Sequence, residues 1–503
     1  MKEIQIQSLQ DTPSSESDQA SGNRGVHTVE KIGGTSMSNY AAVRDNIVKK
    51  PASGDSLYQR ILVVSAYGGI TDKLLEHKKN GKPGIFSLFA NSTGEDSWHQ
   101  AFRELKILLY RINKNFFGEG ELLEEANRFI DARLASASGC LTDLDRLCRH
   151  GHFSLDEHLS TVREMLASIG EAHSAWNMAA LLRRDGVNAR FVDLTGWQTS
   201  SHIPLDERII QAFSPVDLET ELPIATGYAH SENGLMATFD RGYSEMTFSR
   251  IAVLTGAREA VIHKEFHLSS ADPKLVGEEN AVPIGRTNYD VADHLANLGM
   301  EAIHPKAAKG LRKKNIPLRV KNTFEPEHTG TLITTDYSSD SPMVEIIAGR
   351  RGVYALEVFD QEMAGNVGRY EQEILNLIKK MRIYTVAKDI NANTVTHYLA
   401  ASLKVVKRIR SVIEEMFPEA EVDQKKVSIV SVIGTDMSEA GMLSQSVRSL
   451  AESNINVLSV HQSMRQVEMR FVIAEDDFDQ AVKSLHSRLV EVHDHGRAIT
   501  LAQ

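Results

Sequence analysis

From His27 onward, short apolar runs alternate with amphipathic stretches, and that alternation leaves few architectures open. The runs are 26–32, ILVVSA (61–66), NARFVD (188–193), LPIATGY (222–228), AVIH (260–263) and IPLRVK (316–321). Between the first two, MSNYAAVRDNIVKK sets Tyr40, Val43 and Ile47 at helical spacing. Strands and helices in this order predict an α/β fold, a mostly parallel open sheet with helices on both faces. Residues 73–170 break the rhythm with a long, mainly helical segment. It reads as an insertion capping the site within one catalytic unit spanning 26–335.

The segment TDYSSDSP (335–342) is polar and reads as a linker. Beyond it the chain repeats itself: VYALEVFDQEM (353–363) and VSIVSVIGTDM (427–437) share length and alternation, and each is followed by a glycine (Gly368, Gly441) and a helical stretch. Two βαββα units of ferredoxin type are expected, at 345–420 and 421–503.

Composition removes several classes of function. The net charge is −11, from 56 basic and 67 acidic residues, which disfavours a nucleic-acid partner. No apolar run reaches the ~20 residues a membrane helix needs. The start, residues 1–25, lacks the apolar core of a signal peptide and reads as a disordered tail. Two cysteines, Cys140 and Cys148, cannot build a disulfide framework. They are expected to pack on one helix face, in a reducing, cytoplasmic setting. No metal site is expected of them.

Chemistry concentrates where strands end. In Lys31-Ile-Gly-Gly-Thr-Ser36, Gly33 and Gly34 allow a sharp turn that brings backbone N–H groups to an anion. Ser36 or Ser38 could cap the helix that follows, and Lys31 adds a point charge. A phosphate cradle and a plain tight turn both satisfy this stretch. SAYGGITDK (65–73) repeats the pattern at a second strand end, where open α/β sheets bind ligands. In SIGEAHSAW (168–176), Glu171 sits near an expected helix start, as a dipole partner or an ammonium acceptor. Arg241, in a glycine-containing turn before Ser244 and Glu245, suits a carboxylate or phosphate, or a surface ion pair. HKEFHLSSADPKLV (263–276) could cradle a nucleotide or be an ordinary polar loop.

Taken together and in order, these elements resemble the amino-acid kinase fold, and within it the aspartate kinases. The resemblance runs through Lys31-Ile32-Gly33-Gly34-Thr35-Ser36, then Ser65, Ala66, Gly69 and Thr71, then Gly170-Glu171. It continues in Asp240-Arg241-Gly242-Tyr243-Ser244-Glu245, Ala271-Asp272-Pro273 and Ile303-His304-Pro305. The two C-terminal repeats look like the paired ACT domains of that family. Coverage runs from about 26 to 490. The wording of EKIGGTSMS, DRGYSEMTFSRIAVLTGAREA and HKEFHLSSADPKLVG is most similar to aspartate kinases associated with ectoine synthesis.

The resemblance implies phosphoryl transfer from ATP, with Mg2+ carried mainly by the nucleotide, to the side-chain carboxylate of L-aspartate. A carboxylate nucleophile is already ionised at neutral pH, so no general base is required. Lys31 would bridge the two anions, Arg241 clamp the α-carboxylate and Glu171 the α-ammonium. Ser65, Thr71, Ser244 and Glu245 would line the aspartate pocket. Gly33, Gly34, Thr35, Ser36, His263, Lys264, Ser270, Asp272 and Pro273 would hold the nucleotide. An amino-acid effector at the ACT domains and a homodimer or higher even assembly are also implied.

Three departures stand out. His263-Lys264 replaces the family's Thr-Asp, Glu301 replaces a lysine, and Tyr243 and Glu245 replace Gly and Asp. Lys264 is expected to take over the charge of the missing lysine. Two other readings remain open: an amino-acid kinase for glutamate or acetylglutamate, and a non-catalytic amino-acid sensor on a degenerate kinase.

Overall fold

The computed structural model describes residues 25–49, 57–77, 81–91, 96–150, 152–199, 203–239, 242–300, 302–381 and 383–493. The expected N-terminal tail, Asp240, Arg241 and Glu301 lie outside them, apart from Gly25.

Among the described residues, eight strands form the first sheet: β1 (Thr28–Ile32), β2 (Arg60–Val64), β3 (Ala189–Val192), β4 (Leu222–Thr226), β5 (Glu259–Lys264), β6 (Arg286–Asn288), β7 (Leu318–Asn322) and β8 (Thr331–Thr334). Their order is β3-β4-β2-β1-β5-β7-β8-β6, parallel except where β8 runs against β7. The six apolar runs read from the sequence all became strands. β6 and β8 had no such signal, because three or four residues with mixed polarity carry too little periodicity.

β1 lies in the middle, so both of its faces are covered. On one face Glu30 and His263 meet, and Arg60 of β2 grips Glu30 with Nε at 2.6 Å and Nη2 at 2.8 Å. Arg60 also donates to the Ile47 and Val48 carbonyls. Burial opposes charge on Glu30, but Arg60 and His263 outweigh it and hold its pKa well below the usual range. Truncating one partner strands the other without compensation. Arg60→Ala should lower unfolding free energy by about 3–5 kcal/mol in urea titrations; a loss under about 1 kcal/mol would contradict this reading.

The helical segment differs from expectation at its far end. The helices Asp96–Phe117 and Glu121–Cys148 are followed by Leu159–Arg184, which runs straight through residue 170. That third helix lies on the sheet. The first two form an outer layer over it, and their buried residues (Trp98, Leu109, Ile130, Leu141) join the sheet's own core. Cys140 is exposed, so the two cysteines do not share a packed face.

The second sheet has six strands among the described residues: β9 (Ile346–Phe359), β10 (Tyr384–Ile390), β11 (Thr394–Ala400), β12 (Glu421–Ile433), β13 (Val457–Gln462) and β14 (Glu468–Ala474), ordered β10-β11-β9-β12-β14-β13. Both βαββα units are present, but they are interlocked. β9 and β12 are each long enough to serve both: Glu421–Val427 pairs with Val353–Phe359, and Ile429–Ile433 with Ile346–Arg350. Accordingly Val422 of β12 joins the first unit's core, and Ile347 of β9 joins the second's. The other face of this sheet packs on the first domain, where Val291, Leu295 and Leu298 meet Ile346, Val427 and Ile429. Ion pairs His294–Glu468 (3.2 Å) and Arg465–Asp290 (2.6 Å) flank that contact.

Candidate active site

Strand alternation sorts the residues of β1 and β5. Glu30 and His263 share one face, so Lys31 and Lys264 fall on the other. Lys31 is buried, and its Nζ lies 3.5 Å from Glu245 Oε1. Glu245 is in the first turn of the helix Tyr243–Thr255 and also accepts the His304 N–H at 2.5 Å. The Tyr243-Ser244-Glu245 and Ile303-His304-Pro305 segments, about sixty residues apart in sequence, therefore meet at one carboxylate. Burial works against charge on Glu245, yet Lys31, Lys264 and the His304 N–H outweigh it, and its pKa is lowered.

Glu171 behaves in the opposite way. It sits in the middle of the helix Leu159–Arg184, not near a start, so dipole complementation is not its role. Gly170, next to it, lets the helix press on the loop after β2: an added Cβ would lie 2.9 Å from the Ala66 Cβ and 3.1 Å from Ile70. Glu171 is thereby aimed under the strand ends, with Oε2 buried and without a hydrogen-bond partner among the described residues. Burial pushes its pKa up to about 8, against the pull of Lys31, the Tyr243 hydroxyl and the Tyr228 and Ala66 N–H groups. Two carboxylates near one lysine are thus held in different states by their surroundings. An unbonded buried carboxylate oxygen is costly unless a donor arrives with the ligand.

The glycine loops close the site from the other side. A Cβ on Gly34 would stand 2.6 Å from the Ala66 carbonyl, so the loops after β1 and β2 touch only because that residue is glycine. Gly33 donates to the His263 carbonyl (3.2 Å) and occupies the N-cap of the short helix Gly34–Met37. Neither Ser36 nor Ser38 caps the N-terminus of a helix; Ser38 closes the C-terminus of Gly34–Met37. Ser36 Oγ pairs with Thr323 Oγ1 (2.9 Å), Ser38 Oγ accepts from the Gly68 N–H (3.0 Å), and Asn39 caps the next turn. Thr35 is exposed beside them. Ser65, half-buried, is fixed through its carbonyl by Ser174 Oγ (2.8 Å), and Thr71 opens the short helix Ile70–Leu74. Ser244 is buried beside Glu171, across Gly227.

Four residues expected at the nucleotide have structural contacts of their own. The His263 side chain is turned into the Glu30–Arg60 cluster, 2.8 Å from Glu30, and only its carbonyl faces the loop. Ser270 is buried against the second βαββα unit, where its Oγ meets His486 Nε2 at 2.8 Å. Asp272 caps the helix Pro273–Val276, with Pro273 at its first position, and Ala271 enters the second unit's core. The Asp-Pro pair read as a loop end is a helix start, with Asp as N-cap and Pro pre-set for N1. Tyr243 does not crowd the turn: its ring packs edge-on against Tyr228, centroids 5.6 Å apart.

The amino acid kinase family profile matches residues 27–322, and an ACT domain profile matches 430–489. The aspartate kinase Ask_Ect of Stutzerimonas stutzeri is 53% identical over 477 residues, covering 95% of this chain and 100% of its own. The chain belongs to the amino acid kinase family, and within it to the aspartate kinases. It is accordingly a phosphotransferase. A chloroplastic aspartokinase 1 of Arabidopsis thaliana is 25% identical, covering 94% of this chain and 81% of that one. Among solved structures, E. coli aspartokinase III with aspartate and ADP (R-state) matches with TM-score 0.69 at 18% identity, covering 92% of this chain and 99% of that one. The same enzyme with lysine and aspartate (T-state) also gives TM-score 0.69, at 20% identity, with coverage of 92% and 99%. At such identities these two show the shared fold.

Gly227, at the end of β4, is a site residue that the sequence did not single out. A Cβ there would lie 2.8 Å from Glu171 Oε2, the Ser244 Cβ and the Val64 carbonyl alike. The only signal was a glycine closing an apolar run. Gly227→Ala should cost about 1–3 kcal/mol by overpacking and raise the KM for the amino-acid substrate, read from thermal melts and initial rates. An alanine variant with unchanged KM would show that no substrate reaches this floor.

Proposed function

We propose that this aspartate kinase transfers the γ-phosphoryl group of ATP to the side-chain carboxylate of L-aspartate, giving 4-phospho-L-aspartate and ADP. The observation that carries the assignment is the pairing of buried Lys31, held by Glu245, with a buried Glu171 whose Oε2 has no hydrogen-bond partner among the described residues. Glu171 receives the α-ammonium, which supplies the missing donor and draws the carboxylate into its charged form. Lys31 neutralises the repulsion between the incoming β-carboxylate and the transferring phosphoryl group. A carboxylate oxygen bonds to phosphorus as the bond to the β,γ-bridging oxygen breaks, and no proton needs to move. Arg241 takes the α-carboxylate in this reading, and Ser65, Thr71 and Ser244 line the pocket. The loops at Gly33–Gly34 and Lys264 face the phosphates; Lys264, close enough to lower the Glu245 pKa, supplies the second cation.

The site fits a nucleotide because the Gly34–Ala66 contact leaves backbone, without side chains, at two strand ends. Mg2+ bound with ATP would neutralise its phosphate charge. ATP is supplied in the cytoplasm, which supports a cytoplasmic enzyme. The likeness in wording and the 53% identity to Ask_Ect support a place in ectoine-type, aspartate-derived biosynthesis. The edge strands β10 and β13, with Leu458 and Val460 exposed, support a homodimer paired through the ACT sheet. An amino-acid effector would bind that same region.

ADP release, measured with aspartate, glutamate and acetylglutamate in parallel, tests the assignment. Turnover with aspartate alone is expected. Preference for either of the others would move the chain to a different amino-acid kinase, and no turnover with any would favour a sensor.

A further inference from the structure

Just past Lys264, the chain carries a cluster that phosphoryl transfer does not use. His267 Nε2, Glu325 Oε2 and His328 Nδ1 converge from two segments, the exit of β5 and the turn between β7 and β8. Their separations are 3.0 Å (His267–Glu325), 2.9 Å (Glu325–His328) and 3.1 Å (His267–His328). Each ring nitrogen offers either a proton or a lone pair, never both, and a carboxylate oxygen offers lone pairs only. While Glu325 is a carboxylate, no placement of protons satisfies all three contacts. Two N–H groups on Glu325 oppose each other, and any other choice sets two lone pairs face to face. A cation with three lone pairs directed at it satisfies them all.

We propose that His267, Glu325 and His328 form a binding site for one divalent first-row transition ion. The spacing favours a particular geometry. Donors at right angles on bonds of about 2.1 Å stand about 3.0 Å apart, whereas tetrahedral donors would stand about 3.4 Å apart. The triad therefore occupies one face of an octahedron and leaves three positions to water or a ligand. Two imidazoles with one carboxylate select ions such as Mn2+, Fe2+, Co2+, Ni2+ or Zn2+ over Mg2+ and Ca2+, which take oxygen donors.

Two details support a built site. Asn322 Nδ2 donates to Glu325 Oε1 (2.9 Å), and its own Oδ1 is held by the Phe324 N–H (3.0 Å), so the carboxylate is oriented with Oε2 toward the histidines. Among the described residues His267 Nδ1 is buried without a hydrogen-bond partner, so the ring's polar contacts there lie in this cluster. The ion would pin the segment between Lys264 and Ser270 to the β7–β8 turn. That segment is already tied to both domains: the Lys264 carbonyl accepts from Thr323 N (2.7 Å), and Ser270 pairs with His486 (2.8 Å) of the second ACT unit.

The full chain, dialysed against chelator and then freed of it, is titrated calorimetrically with Co2+ alone. One ion per chain is expected, with a melting temperature that rises as Co2+ is added and a site that millimolar Mg2+ does not compete for. His328→Ala and Glu325→Gln should abolish this binding step, and Asn322→Ala should weaken it about 10- to 100-fold. Circular dichroism of each variant identifies any that fail to fold. No stoichiometric Co2+ binding, or binding that persists in folded His328→Ala, would overturn the proposal. Equal competition by Mg2+ would overturn the ion class. None of these readouts depends on the kinase reaction.

Discussion

Lys31→Ala is expected to fold and to lose turnover by about 10³-fold, roughly 4 kcal/mol of barrier. The lysine sits on the central strand with its side chain buried, so truncation removes some packing as well as the charge. Its charge is the irreplaceable part. In the resting site it is balanced by Glu245 at 3.5 Å, and Glu245 keeps Lys264 and the His304 N–H when Lys31 is removed. The melting temperature should therefore fall only modestly while kcat collapses. If kcat and KM both stayed within threefold of the parent, the glycine loop after β1 would be a structural turn, and the role given to Lys31 would be wrong.

Glu171→Gln should raise the KM for aspartate by at least about 100-fold, through loss of a buried charge-assisted contact. The parent enzyme should also reveal this residue by pH. Its carboxyl titrates at about 8 in the folded chain, above its value of 4.5 when unfolded. Only the carboxylate pairs with an ammonium group, so apparent aspartate affinity should improve about tenfold per pH unit below 8 and level off above it. Stability moves the other way. Between pH 4.5 and about 8 the folded chain holds a proton that the unfolded chain has released, so this group's contribution falls as pH rises through that window and is constant beyond it. In Glu171→Gln both dependences should vanish, and the melting temperature at pH 8.5 should exceed the parent's. A pH-independent aspartate KM in the parent would exclude Glu171 as the ammonium acceptor.

The parallel sheet was legible because six of its strands are buried runs bounded by glycine and hydroxyl residues. The tandem units were legible through their repeat. What sequence could not give was the sharing of β9 and β12 between those units, since a strand reads the same whichever partner it pairs with. The site shows the same division. Lys31, Glu171 and Glu245 stood out by residue type and position but took site roles only through the resemblance, and alternation then separated Lys264 from His263, adjacent residues with opposite directions. The contacts of Ser270 with His486 and of Asp272 as a helix cap were not legible, because a polar loop suited to phosphate and one suited to structural contacts have the same composition. Gly227 escaped because its role is the space it leaves. Glu325 and His328 escaped because the signal exists only once His267, some sixty residues earlier, is folded against them.

With a carboxylate as the phosphoryl acceptor the product is an acyl phosphate, which reacts with hydroxylamine where a phosphate ester or free phosphate does not. Incubating the chain with ATP, Mg2+, L-aspartate and hydroxylamine should yield aspartyl β-hydroxamate in step with ADP. ADP release without hydroxamate would mean that aspartate does not accept the phosphoryl group and would contradict the central claim.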